Sequence, residues 1–210
     1  MSVTRTIRRA VLAVAWLLLA TSSAYAGGGN VLPATARPHG FTLAAAAAAT
    51  AYFNEGPHTP DTVPAGFPLQ ILYIPPGGTD TGTFHVRAGT MLYMPLVYSD
   101  GNDAALWPFP DVNDAQAVSS YYFDPQQLGA DTMEVTVDGQ TTSLGPQYAV
   151  GTVTAGLPSG ANAYTVVAVF LGPLTKGTHT VSYRFGLSGE FLDPYGGEFA
   201  GEATYTIVVH

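Results

Sequence analysis

The sequence predicts an all-β protein: a two-sheet antiparallel sandwich, immunoglobulin-like or jelly-roll-like, with one short N-terminal helix. Three observations predict it. From Leu69 onward apolar residues recur at every second position, the period of a strand with one wet face. The composition, with 24 Gly, 16 Pro and only 10% charged residues, suits short strands joined by many turns. The chain has no cysteine, so stability has to come from a packed core rather than disulfide staples.

The first element is an export segment. Arg5, Arg8 and Arg9 precede an apolar run from Ala10 to Ala20, and Ala24-Tyr25-Ala26 supplies a small-residue cleavage site. A run of about 11 residues is too short to span a bilayer as a helix, so residues 1–26 read as a signal peptide and the mature protein as secreted or periplasmic. No cysteine follows the cleavage site to carry a lipid, and no membrane insertion is expected after cleavage. Residues 27–40 read as a flexible lead, and residues 41–210 as a single domain large enough to bury about 70% of its unfolded surface.

Residues 41–53, FTLAAAAAATAYF, carry the strongest intrinsic helix preference in the chain, and Asn54-Glu55-Gly56-Pro57 provides the stop. Strands follow. Phe84, Val86 and Ala88 alternate with His85 and Arg87; Met133, Val135 and Val137 alternate with Glu134 and Thr136. MLYMPLVY at 91–98 and YTVVAVFL at 164–171 are apolar on both faces, as central strands are, and Pro95 predicts a bulge or a free edge in the first. Asp138-Gly139 predicts a tight reversal. The alternating runs 179–185 and 203–209 predict two neighbouring strands, and further strands near 70–75, 140–144 and 147–155 bring the count to nine or ten. Asp124-Pro125-Gln126-Gln127-Leu128 reads as a brief helical turn inside a long excursion from Ser99 to Ala130.

Charge narrows the partners. After residue 26 only Arg37, Arg87, Lys176 and Arg184 oppose 15 acidic residues, a net charge of −11 with neutral histidines. Such a surface repels phosphate backbones and anionic lipid, which argues against nucleic-acid and membrane-surface roles.

Two acidic tetrads mark the long loop: Asp100-Gly101-Asn102-Asp103 and Asp111-Val112-Asn113-Asp114. Asp100, Asn102, Asp103, Asp111, Asn113 and Asp114 offer the hard oxygens that calcium takes, although the EF-hand order is absent. The same residue types also cap turns through their own backbone. Aromatic rings surround the tetrads. Trp107, Phe109 and Tyr98 are the candidate ligand contacts, because a ring beside carboxylates and amides can stack on a sugar; core packing is the competing role, above all for Tyr98 and Phe123. Trp107-Pro108-Phe109-Pro110 cannot join a ladder and is expected in an exposed or loop-plugging position. His179 shares its face with Val181, Tyr183 and Phe185, where a structural hydrogen bond is expected, and no zinc motif or G-x-S-x-G elbow is present.

Four segments carry a resemblance: VRAGTMLYMPLVYSD at 86–100, EVTVDG at 134–139, GPLTKGTHTVSYRF at 172–185 and ATYTIVV at 203–209. With these the chain resembles a family of uncharacterised secreted bacterial β-sandwich proteins. The resemblance implies a β-sandwich and export, and it supplies no catalytic residues. Where some relatives carry a cysteine after the Pro95-type strand, this chain has none.

The functional expectation is a secreted, noncatalytic interaction or structural module whose partners are glycans or cell-surface proteins. Two alternatives stand beside it: a calcium-dependent carbohydrate-binding module using the 99–114 loop, and a secreted hydrolase acting on glycans.

Overall fold

The computed structural model describes residues 30–58, 62–74 and 80–210, so the export segment and the first three residues of the lead lie outside the described residues. Nine strands and two α-helices form there. The strands are β1 (Gln70–Ile71), β2 (Thr81–Val86), β3 (Leu92–Asp100), β4 (Ala130–Val137), β5 (Gln140–Ser143), β6 (Ala149–Val153), β7 (Ala163–Leu171), β8 (Gly177–Leu187) and β9 (Phe199–Val209). The helices are α1 (Leu43–Glu55) and α2 (Ala115–Phe123). One sheet has the order β1-β3-β7-β6 and the other β2-β9-β8-β4-β5. The protein is mostly β, and a sandwich fits. The sheets are mixed rather than purely antiparallel: β1 runs parallel to β3 and β2 parallel to β9. Among the described residues no helix is long and apolar enough to cross a membrane.

β7 is buried along nearly its whole length, as a run apolar on both faces requires. It lies between β3 and β6, with α1 packed on one face. Ala46, Ala47 and Ala51 of α1 are fully buried, and their single methyl groups let the helix lie close to the sheet. Thr42 starts that helix by accepting a hydrogen bond from the Ala45 amide at 3.1 Å; Gly56 ends it. Pro95 has no N–H to give the ladder, and the register of β3 against β7 shifts between Pro95 and Val97.

The lead is not a free tether from residue 30 onward. Val31 bridges Leu171, the Leu32 amide donates to the Phe170 carbonyl at 2.9 Å, and the Tyr148 hydroxyl donates to the Leu32 carbonyl at 3.0 Å. These residues cover the edge of β7 beyond the end of β6, which would otherwise leave buried backbone groups unpaired. The second helix is also additional to the expected one. AQAVSSYYF has little intrinsic helix preference; α2 forms because Val118, Tyr121 and Tyr122 all become fully buried. The expected turn after it is present, with the Asp124 carboxylate accepting from the Gln126 amide at 2.9 Å.

β4 and β5 meet at Asp138-Gly139, both with positive φ, the conformation a two-residue hairpin needs. Asp138 also faces His179 on β8. His179 Nδ1 lies 2.7 Å from Asp138 Oδ2, and Nε2 lies 2.8 Å from the Thr175 carbonyl oxygen. Both neighbours are acceptors, so only the doubly protonated imidazolium satisfies both. The Asp138 bond, then the Thr175 bond, raises the imidazole above 6.5; the same His179 bond holds the Asp138 carboxyl below 3.8. The imidazole's share of stability is full below its unfolded value and is lost as pH rises through the raised folded one. The carboxylate's share is full above its unfolded value and is lost as pH falls through the lowered one. At this exposure the pair contributes less than about 1 kcal/mol. His179→Ala should therefore lower the melting temperature by no more than about 2–4 °C near pH 5 to 6, with the gap narrowing above neutrality, as thermal unfolding across pH will show.

Candidate functional site

Two connections meet at one end of the sheets, the one between β3 and β4 (residues 101–129) and the one between β8 and β9 (residues 188–198). Four main-chain hydrogen bonds stitch them together. The Ser188 amide donates to Gly129 O at 3.1 Å, Gly189 to Leu128 O at 2.9 Å, Glu190 to Pro125 O at 2.9 Å and Phe191 to Gln127 O at 3.1 Å. Approach this close needs glycine at the crossing. A Cβ on Gly189 would run into the Gln127 carbonyl oxygen, and Gly129 holds φ +58° with its Cβ position 2.7 Å from Gly189 Cα.

Inside the stitched loops a line of polar groups fixes the rings. Trp107 Nε1 donates to the Tyr121 hydroxyl at 2.6 Å, and Tyr121 lies 2.7 Å from Ser99 Oγ, which donates to Asp103 Oδ2 at 2.5 Å. Ser99 has one proton and spends it on Asp103, so Tyr121 must donate to Ser99. The relay runs in one direction, from indole to carboxylate. Burial pushes the Tyr121 phenol up to about 12, so it remains a donor at any physiological pH. The Trp107 ring is thereby held against Phe191, with centroids 6.5 Å apart, and edge-on to Tyr195 at 5.6 Å.

The result is a cleft of about 370 Å³. Its walls include Tyr98, Trp107, Tyr195 and Phe199, and its polar groups include Asp103 and Glu198. Tyr98 is 44% exposed, Tyr195 53% and Phe199 52%, so each keeps a free surface. Tyr98, which sequence alone also offered as a packed residue, stacks one face on Tyr164 at 5.6 Å and leaves the rest open. Among the described residues the lining contains no histidine, lysine or arginine.

Of the sequence candidates, Tyr98, Trp107 and Asp103 come together here. Phe109 does not line the cleft; it packs edge-on to Tyr121 at 5.7 Å. The tetrads are closed on their own turns. Asp100 accepts from the Asn102 amide at 2.7 Å and, with Asp103, forms a capping box for the 3-10 turn Gly101–Ala105. Asn102 reaches away to the Ser159 carbonyl at 2.7 Å. Asp111 accepts from the amide and the side chain of Asn113, at 2.9 and 3.2 Å. Asp114 is the N-cap of α2, accepting from the Gln116 and Ala117 amides at 2.8 and 3.2 Å. Among the described residues no three His, Cys, Asp or Glu side chains are grouped so as to hold a metal ion.

Sequence reasoning missed Tyr195, Glu198 and Phe199. The signal was present in Glu190–Phe199, an aromatic, Gly- and Pro-containing insertion before the last strand, but nothing in it says which other loop it touches.

No protein-family model matches the chain, and no curated protein matches it. Among solved structures it is similar to a cysteine protease inhibitor from Entamoeba histolytica, at 18% identity and a TM-score of 0.32, over 68% of this chain and 96% of that one.

Asp114→Ala should cost about 1 kcal/mol, the usual loss of an N-cap. The measured loss should be the same with and without added calcium; a calcium-dependent rise in melting temperature that Asp114→Ala abolishes would make the tetrad a metal ligand instead.

Proposed function

We propose that this chain is an exported, noncatalytic β-sandwich module that binds a partner through the cleft between its β3–β4 and β8–β9 connections. The observation that carries the reading is the cleft itself: the rings of Tyr98, Trp107, Tyr195 and Phe199, three of them about half exposed, stand around a preformed backbone and polar framework. Apolar rings left in water around a concavity are what binding surfaces share, and rigid aromatic side chains lose little entropy when a partner arrives.

The strand orders support an immunoglobulin-like sandwich. Taking β1 and β2 together as the split first strand, β3-β7-β6 corresponds to the B-E-D order and β9-β8-β4-β5 to G-F-C-C′. In that correspondence the cleft lies between the B–C and F–G connections, which form part of the binding end in variable domains. The basic, apolar and small-residue pattern of residues 1–26 supports export.

Trp107 is the one tryptophan after residue 26, which makes its fluorescence a reporter of the cleft. The chain without residues 1–26 should turn over none of a panel of glycosides, esters and peptides. It should be retained by the envelope fraction of the producing cell, and Tyr195→Ala with Phe199→Ala should abolish retention while the domain stays folded at the assay temperature. Turnover of a glycoside that Glu198→Gln abolishes would instead place the protein among hydrolases, and retention unchanged in the double variant would remove the cleft from the account.

A further inference from the structure

Resting on the reading of the cleft as a binding site, we propose that its occupant is cationic: a lysine or arginine side chain on a basic segment of a protein partner.

The charge distribution carries this furthest. The stretch from Ser99 to Asp131 contains Asp100, Asp103, Asp111, Asp114, Asp124 and Asp131 and no lysine, arginine or histidine. The stretch from Phe185 to Glu202 contains Glu190, Asp193, Glu198 and Glu202 and again no basic residue. These are the two stretches whose connections build the cleft. Most of the chain's 15 acidic residues therefore lie in the segments that form or flank one end of the molecule.

None of the four cations after residue 26, Arg37, Arg87, Lys176 and Arg184, lines the cleft. Arg87 follows β2, and Lys176 precedes β8, whose first residue pairs with the last of β9. The cleft borders the other end of β8, at Leu187, roughly 30 Å away along the strand. That is several screening lengths at physiological salt, so those charges do not offset the field at the cleft. Arg184, nearer on β8, lines the adjoining hollow with Glu198 and Phe199, and its guanidinium is held by Glu134 at 2.6 Å.

Inside the cleft the chemistry matches. Glu198 is exposed and its carboxylate has no partner among the described residues. Tyr98, Tyr195 and Phe199 present ring surface, whose negative faces attract ammonium and guanidinium groups. The negative potential also acts on the protein's own groups: after burial, the charges of Glu55, Asp100 and Asp103 push the Tyr98 phenol up. A long apolar stem ending in a cation fills such a site with both halves, the stem along the rings and the charge at the carboxylates. The surrounding acidic loops then speed encounter with a basic partner.

The test uses the chain without residues 1–26 and reads Trp107 fluorescence. A short oligolysine peptide should change the emission saturably, and its affinity should fall at least about fivefold when ionic strength rises from low to high. Glu198→Gln and Phe199→Ala, both at exposed side chains, should each weaken it by about threefold to tenfold with unchanged melting temperature. The same peptide with its lysines acetylated should not bind. Equal binding of the acetylated peptide would overturn the inference, as would oligolysine binding that Phe199→Ala leaves unchanged, which would reflect a diffuse acidic surface. A neutral oligosaccharide that moves the Trp107 emission while oligolysine does not would also overturn it, leaving the cleft as a binding site for a glycan. Envelope retention insensitive to the cleft variants is the separate result that would remove the underlying reading.

Discussion

The cleft depends on four main-chain hydrogen bonds between residues 125–129 and 188–191. Loops usually lie on the surface and move; here two of them share backbone donors and acceptors as strands do. The arrangement is possible because glycine occupies both sides of the crossing, at 129 and 189, where any side chain would meet backbone. Without that contact Trp107 and Tyr195 would belong to separate loops, and no fixed concavity would lie between them. The entropy of ordering the site is then lost during folding rather than at binding.

A second layer of constraint comes from polar groups in apolar surroundings. Tyr121 is fully buried on α2, and its hydroxyl links the Trp107 indole to Ser99 on β3 and through it to Asp103. A buried hydroxyl left without partners is costly, so each member of that line specifies the position of the next. Neighbouring Tyr122 makes the same kind of connection to Thr165 on β7 at 3.0 Å. Helix α2 is thus fixed by two phenol hydroxyls as well as by packing, and the Asp114 cap orients its first turn. Gly151 on β6 completes the seat, since a Cβ there would meet Val112 backbone and the Val118 side chain at 2.7–2.8 Å.

Much of the fold was legible because its signals are local. Proline lacks an amide hydrogen, so the irregularity of β3 at Pro95 could be read directly. Asp138-Gly139 announced its hairpin, and the alanine run announced α1. Alternation also placed Val181, Tyr205 and Ile207 in the core, where they are fully or almost fully buried. What alternation does not contain is direction: it says which face is buried, not whether the neighbour runs parallel, so β1 beside β3 and β2 beside β9 could not be read from it. Helix α2 was illegible because tertiary burial of Val118, Tyr121 and Tyr122 overrides weak propensity. The docking of residues 30–32 depends on an edge of β7 that exists only once the sheet is formed. For the cleft, Tyr98, Trp107 and Asp103 were legible as candidates because they lie close together in sequence, at the end of β3 and in the connection that follows it. Tyr195, Glu198 and Phe199 were not, because their relation to that loop is set by the stitch, a contact between residues some sixty positions apart.

The central claim is that the cleft is preformed by the stitch. Native-state hydrogen exchange of the amides of Ser188, Gly189, Glu190 and Phe191 tests it most directly, since each donates one of the four bonds. The account predicts protection at these four approaching that of the β8 amides that precede them. Exchange at the rate of an exposed loop, with β8 still protected, would contradict it.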